Sequence, residues 1–327
     1  MRRIWQKFMI SLARNKRITR FMHRSAYTSN LAGRFTGGPD LSSAVGLTRQ
    51  LKQEGFNASL YYLGEYVTYP QLVAHNTRAI IATAAALRDA GLDVHISIDP
   101  TQVGYTFDEE LGCRNATEIA GVVAAGGRTP GSYLMLDMED HSLVDTTLDL
   151  NRDLRAQGFT MAQTLQAYLR RTEADLRTLI ESGAPAVRLV KGAFAENSSR
   201  AFQNRREIDE NYLKLASIML SGKARTAGFR PVFGTHDEKV ARQVIDLARL
   251  RGWQPGEYEF EMLYGVRPEL RDELRDRGER VRLYLPFGEQ WWPYAARRVG
   301  ENTRNARFVL QALAGSRKKS KSSVNHD

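Results

Sequence analysis

Residues 161–191, MAQTLQAYLRRTEADLRTLIESGAPAVRLVK, decide the architecture. MAQTLQ (161–166) and AVRLVK (186–191) are short and largely apolar, Thr172 to Ser182 between them carries a helical pattern, and Gly183 stands where a helix would stop. Strand, helix and strand in so short a span is the crossover unit that joins parallel strands. Working outward in both directions, the alternation recurs. The further strand candidates are ASLYYLG (58–64), LDVHISI (92–98), SYLMLDM (132–138), RPVFGT (230–235), YEFEML (258–263) and RVRLYL (280–285). Helical patterns at Gln71 to Ala90, Ile208 to Leu220 and Glu238 to Leu250 lie between them, with Gly91 and Gly252 as further stops. Eight near-continuous apolar strands suit a parallel sheet covered on both faces. The expected fold class is therefore α/β, a (β/α)8 TIM-like barrel over 58–314. A basic helical segment, 1–57, precedes it, and a disordered basic tail, 315–327, follows.

The chain has 327 residues, 42% of them apolar and 26% charged, enough for one large domain with a substantial core. Its net charge of +10 is concentrated at the ends. Residues 1–39 hold nine Lys and Arg and no acid, and the body 40–315 is left slightly negative. A body of that kind excludes a nucleic-acid groove across the fold. The opening segment, with Ile4, Trp5, Phe8 and Leu12 among Arg2, Arg3, Lys7 and Arg14, could rest on anionic lipid as an amphipathic helix or pack on the barrel's flank. Its Arg-rich composition also suits a transit peptide, though no separate cleavable leader is evident before the first barrel unit. No apolar run reaches the roughly 20 residues of a membrane span. A single cysteine, Cys113, rules out an intramolecular disulfide framework and points to a reducing, cytoplasmic setting.

A barrel places its chemistry where strands end. Glu65, Asp99, Asp137, Glu139, Gln166, Lys191 and His236 all fall there, Tyr284 lies on the last strand, and Arg297, Arg298 and Glu301 fall on the helix after it. Arg297 and Glu301 share a helix face, so the two guanidinium forks could clamp a carboxylate; the bland alternative is an exposed ion pair. Lys191 could meet a phosphate or carboxylate, form a Schiff base, or make a structural salt bridge, and spacing does not separate these. LDMEDH (136–141) suggests a metal site only weakly, because Asp140 and His141 read as helix-cap residues. There is no P-loop, nucleophile elbow or HExxH, and the glycines at 33–38 follow no strand.

In chain order, LGE (63–65), LDMED (136–140), LQAY (165–168), RLVKGAF (188–194), GTHD (234–237), FEMLYGVR (260–267), YLPFG (284–288) and RRVGEN (297–302) resemble the proline dehydrogenase family, especially its short single-function bacterial form. The resemblance covers nearly the whole barrel. It implies a distorted barrel that holds FAD at its carboxyl face, with the final helix over the flavin. Asp137 and Arg188 match the family's active-site pair. Met138, Gln166, Arg188, Lys191, Gly192, Ala193, Thr235 and His236 match FAD-contacting positions. Arg297 and Arg298, partnered by Glu301, match the clamp on the substrate carboxylate, and Tyr284, Tyr294 and Leu263 match pocket walls. The implied chemistry is hydride transfer from the ring carbon beside the amine of an amino-acid substrate to flavin N5, giving Δ1-pyrroline-5-carboxylate from proline. Electrons would pass on to a quinone or other acceptor, which gives the basic amino terminus a reason to touch the inner face of a membrane.

Three positions depart from the family pattern. Tyr61 stands where the family has Asp, Asp99 where it has a Lys that holds the substrate carboxylate, and Phe194 where it has Tyr. The first two read as linked, since an Asp that partners that Lys loses its purpose once the Lys is gone. An anion in place of a cation shifts carboxylate binding by on the order of one to several kcal/mol. The expectation is weaker proline binding, or a hydroxylated, N-substituted or more cationic amine as substrate. Repacking that turns Asp99 away would leave proline in place. A Schiff-base barrel lyase using Lys191 and a noncatalytic barrel are the competing readings.

Overall fold

The computed structural model describes residues 33–64, 67, 69–105, 107–126, 131–292 and 294–296. Eight strands, β1 (Asn57–Tyr62), β2 (His95–Ile98), β3 (Tyr133–Leu136), β4 (Met161–Gln166), β5 (Ala186–Val190), β6 (Arg230–Gly234), β7 (Glu259–Leu263) and β8 (Val281–Phe287), form a closed barrel in sequence order. All pairs are parallel, and β1 closes on β8 from Asn57 opposite Arg282 to Tyr62 opposite Phe287. The expected fold is the one found.

Helices α1 (Leu41–Gln53), α2 (Pro70–Asp89), α3 (Glu109–Ala125), α4 (Val144–Ala156), α5 (Thr172–Glu181), α6 (Arg205–Met219), α7 (Gly222–Thr226), α8 (Glu238–Leu250) and α9 (Pro268–Asp276) accompany the strands. In α8, Asp237 caps the amino end through Val240 N, and Val240, Ala241, Val244, Ile245 and Ala248 make one buried stripe. Gly91, Gly183 and Gly252, the expected helix stops, all adopt positive φ, where a side chain would be strained. Segment 92–98 yields a strand only from His95. Leu92 N is spent on Leu87 O (3.0 Å) in closing α2, and Val94 N donates to Ser132 Oγ (2.9 Å).

The apolar core lies between barrel and helices. Leu60, Ile96, Leu134, Leu165, Leu189, Phe233, Phe260 and Leu283 pack in one cluster with helix residues such as Ile80, Leu154, Leu176 and Val244. Burying each such side chain stabilises the fold by about 1.5–3 kcal/mol. Helix α1, capped by Asp40 through Ser43 N (2.8 Å), buries Ala44, Thr48 and Leu51, and just before it Gly37 N donates to Pro286 O (2.8 Å).

Inside the barrel the alternation turns polar. In its lower tier Arg282, fully buried, donates to Glu259 (2.6 Å) and to Ala58 O (2.7 Å). Arg280 adds a second cation to Glu259 at 3.0 Å. His95 binds Gly131 O (3.0 Å), and burial, with Arg282 and Arg188 nearby, pushes its pKa well down, so the ring is neutral. Among the described residues no helix is long and apolar enough to cross a membrane.

Candidate active site

The upper tier is built around Arg188, on β5 and almost fully buried. One terminal nitrogen pairs with Asp137 just past β3, the other with Glu261 on β7 (2.8 Å), and Nε donates to Thr164 on β4 (3.1 Å). Ser97 on β2 lies 3.4 Å from both terminal nitrogens, and Ser59 on β1 donates to Glu261. Alternation makes this assembly possible. Residues 59, 97, 164, 188 and 261 occupy inward positions of five strands, so one planar cation can reach three neighbours at once.

Above Arg188 the walls are aromatic and acidic. Tyr284 donates to Asp137 Oδ2 (3.0 Å), and the Arg188 guanidinium lies 5.2 Å from the centre of the Tyr284 ring. Burial first, and the charge of Asp99 second, push the Tyr284 phenol well up, which keeps it a donor. Tyr61 stacks on Tyr284 with ring centres 5.6 Å apart and donates its hydroxyl to Asp99 Oδ2 at 2.5 Å. The two substituted positions are therefore in direct contact. Glu139 accepts from Thr101 N (3.0 Å) and Thr101 Oγ1 (2.8 Å). Burial and the neighbouring Asp99 nonetheless push its pKa up to about 8.

Along the β4–β7 side, Gln166 donates to the carbonyls of Met138 (3.0 Å) and Glu139 (3.2 Å), while its own buried Oε1 has no partner among the described residues. Lys191 sits between Asp209 (2.5 Å) and Asp237 (2.9 Å). Burial of Asp237 works to raise its pKa, but Lys191 and Arg205 prevail and bring it down to about 2. Gly192 follows at φ +98°, and a Cβ there would stand 2.1 Å from the Tyr168 ring. Ala193 is exposed, Thr235 is buried and accepts from Asp237 N (3.1 Å), and His236 Nε2 accepts from Leu263 N (2.8 Å). Tyr294 is buried within a short helical stretch.

A family model for proline dehydrogenase matches residues 44–311. The chain belongs to the proline dehydrogenase family. It is 32% identical to the proline dehydrogenase of Deinococcus radiodurans over 95% of this chain and 98% of that protein. It is 34% identical to proline dehydrogenase 2 of Bacillus subtilis over 86% of this chain and 90% of that one. Its fold superposes on proline utilization A from Bdellovibrio bacteriovorus with a TM-score of 0.76 at 20% identity, over 84% of this chain and 33% of that one. As a member of the proline dehydrogenase family, the chain is an oxidoreductase.

Within that family frame, the structure gathers Asp99, Asp137, Arg188 and Tyr284 at the barrel's carboxyl end, with Gln166 and Met138 beside them. Arg297, Arg298 and Glu301 lie outside the described residues, as does Glu65. The Schiff-base reading loses its ground, because the Lys191 ammonium is held by two carboxylates. No group of three or more metal-ligating side chains occurs among the described residues, and Asp140 caps a short turn through Ser142 N, as its position after β3 suggests. Glu261, Thr164, Ser59 and Ser97 escaped attention in the sequence. A carboxylate inside the apolar strand YEFEML was the available signal, since a buried charge needs a partner.

Proposed function

We propose that this enzyme oxidises L-proline or a close analogue at the ring carbon beside the amine, with FAD as oxidant, to the cyclic imine Δ1-pyrroline-5-carboxylate. The observation that carries the proposal is the buried Arg188–Asp137–Glu261 assembly at the barrel's carboxyl end, in a chain of the proline dehydrogenase family. The residues present suit a flavin dinucleotide. Gln166 Oε1 is a buried acceptor without a partner among the described residues, beside the carbonyls just after β3, and Gly192 keeps the backbone after β5 free of a side chain. Gln166, Met138, Arg188, Lys191, Gly192, Ala193, Thr235 and His236 would hold it.

When bound, FAD supplies the acceptor for the hydride that leaves the substrate. The protein's contribution is position and charge. Arg188, fixed from several strands, places a cation that cannot swing away, and Asp137, held by Tyr284 and Thr164, fixes its orientation. Arg297 and Arg298, with Glu301, would take the substrate carboxylate. Only a neutral amine can release electrons as the hydride departs, so turnover is expected to rise with pH until the bound amine has lost its proton.

The same reading assigns the reaction to proline catabolism, with a quinone or another carrier as electron acceptor and a cytoplasmic location touching the inner membrane face through the basic amino terminus. Anaerobic titration of the FAD-loaded protein with L-proline tests the core of it. Bleaching of the flavin band is the expected result. A flavoprotein that neither proline nor any cyclic amine reduces would end the proposal.

A further inference from the structure

The turn after β2 is tied to its neighbours on both sides. Thr101–Val103 form a single helical turn that ends at Gly104, φ +112°, and Gln102 N donates to Asp99 O (3.0 Å), so the Asp99 backbone belongs to the turn. On the β1 side, the buried Gln102 donates through Nε2 to Tyr62 O (2.6 Å). On the β3 side, Glu139 accepts Thr101 N (3.0 Å) on one carboxyl oxygen and Thr101 Oγ1 (2.8 Å) on the other. From behind, Asn115 on α3 donates to Val103 O (2.8 Å).

What the turn carries bears on the site. Asp99 receives the Tyr61 hydroxyl (2.5 Å), the Tyr61 ring stacks on Tyr284, and Tyr284 donates to Asp137 (3.0 Å). Packed and hydrogen-bonded in series, these groups pass a displacement of the turn on to the aromatic wall over Arg188. Glu139 divides its duties between side chain and backbone. The carboxyl grips the β2 turn, whereas the carbonyl accepts from Gln166 Nε2 (3.2 Å), a residue assigned above to the flavin. Truncating the side chain therefore cuts the tie to the turn and leaves the tie to Gln166.

We infer that Glu139 and Gln102 are positioning residues for substrate binding, two braces that hold the β2 turn and, through it, the Asp99–Tyr61–Tyr284 wall in register with Arg188. The inference rests on the dehydrogenase reading above for the nature of the substrate, and the braces themselves can be tested without turnover.

The proteins for the test are the FAD-loaded full chain and its Glu139→Ala, Glu139→Gln and Gln102→Met variants. Glu139→Gln keeps the side-chain length and an acceptor for Thr101 N, and Gln102→Met keeps the length and loses the donor. Hydrogen exchange across 99–104 should quicken about tenfold or more in Glu139→Ala and Gln102→Met and return towards the native rate in Glu139→Gln. Calorimetric titration with cyclopentanecarboxylate, which has the shape of proline and no amine to oxidise, should show binding weakened about tenfold in the first two variants and restored in the third. Flavin content and the rate of FAD loss on dilution should stay native in Glu139→Ala, because Gln166 keeps its carbonyl partners. With L-proline the change should fall on KM more than on kcat. Should Glu139→Ala fail to fold, Thr101→Val, which removes only the hydroxyl donor, carries the same prediction at about threefold.

Native exchange in 99–104, native ligand affinity in Glu139→Ala and Gln102→Met, or no recovery in Glu139→Gln would overturn the inference. So would a loss of flavin that matches the loss of ligand affinity, since that marks general loosening, and so would failure of cyclopentanecarboxylate to bind any of the proteins. If L-proline does not reduce the flavin, the dehydrogenase reading fails, while exchange and titration still report on the braces.

Discussion

Arg188 is a cation with almost no access to water, a placement tolerable only when its hydrogen bonds are satisfied. Ser97, Thr164 and Glu261 satisfy them from three strands, and Asp137 from the segment just past β3. Glu261→Ala would leave Arg188 short of one anion at a cost of about 3–5 kcal/mol, measurable as a shift of the urea midpoint. Tyr284→Phe, which removes one donor from Asp137, should cost about 1 kcal/mol of stability and lower turnover further than that. Glu139 yields a prediction with a definite sign. Its folded pKa, pushed by burial and Asp99 to about 8, lies above the ordinary carboxyl value of 4.5, so the folded state holds a proton that the unfolded chain releases. Stability contributed here is full below the ordinary value and is lost as pH climbs towards 8. The melting temperature of the native protein should decline across that window, and in Glu139→Gln this component should vanish; equal slopes would refute the assignment. At this scale the sequence was partly legible. Arg188 and Asp137 were found through the family motifs, whereas Glu261 was hidden because strand periodicity marks a residue as inward without saying which of seven other strands it meets.

Strands and their loops were more open to reading, since a period of two, a helical period and a glycine stop each leave a local mark. Helix α8 matches its expected span, Glu238–Leu250, because cap, stripe and terminal glycine agree. Strand β2 came out three residues shorter than its apolar run because LDV is consumed in leaving α2, a demand of backbone hydrogen bonding that apolarity does not encode. The loop after β5 allows a test at this scale. Gly192 combines φ +98° with a Cβ position that overlaps Tyr168, so Gly192→Ala must move either backbone or ring. The expected outcome is a folded protein with reduced flavin content, read from the ratio of flavin to protein absorbance. Full flavin occupancy in that variant would remove Gly192 from the cofactor-holding set.

For the whole molecule, count and order of elements were enough to anticipate a barrel, because eight strand-helix units leave the closed parallel sheet as the favoured arrangement. What fills that barrel was not legible. Its lower tier is an ion cluster of Arg282, Arg280 and Glu259 where layers of branched apolar residues are usual. Arg282→Met should cost about 3–5 kcal/mol by leaving Glu259 buried with one cation fewer, while substrate KM and flavin content stay unchanged, as denaturation and kinetics together would show. A further consequence belongs to Arg188, the hub on β5 that touches β2, β4, β7 and the segment just past β3. Because those strands converge on one guanidinium, they cannot loosen one at a time. Their backbone amides should exchange with deuterium as a single cooperative block, at a common free energy, and more slowly than the outer helices. The same side chain that we assign to the chemistry would then set the largest unit in which this protein comes apart.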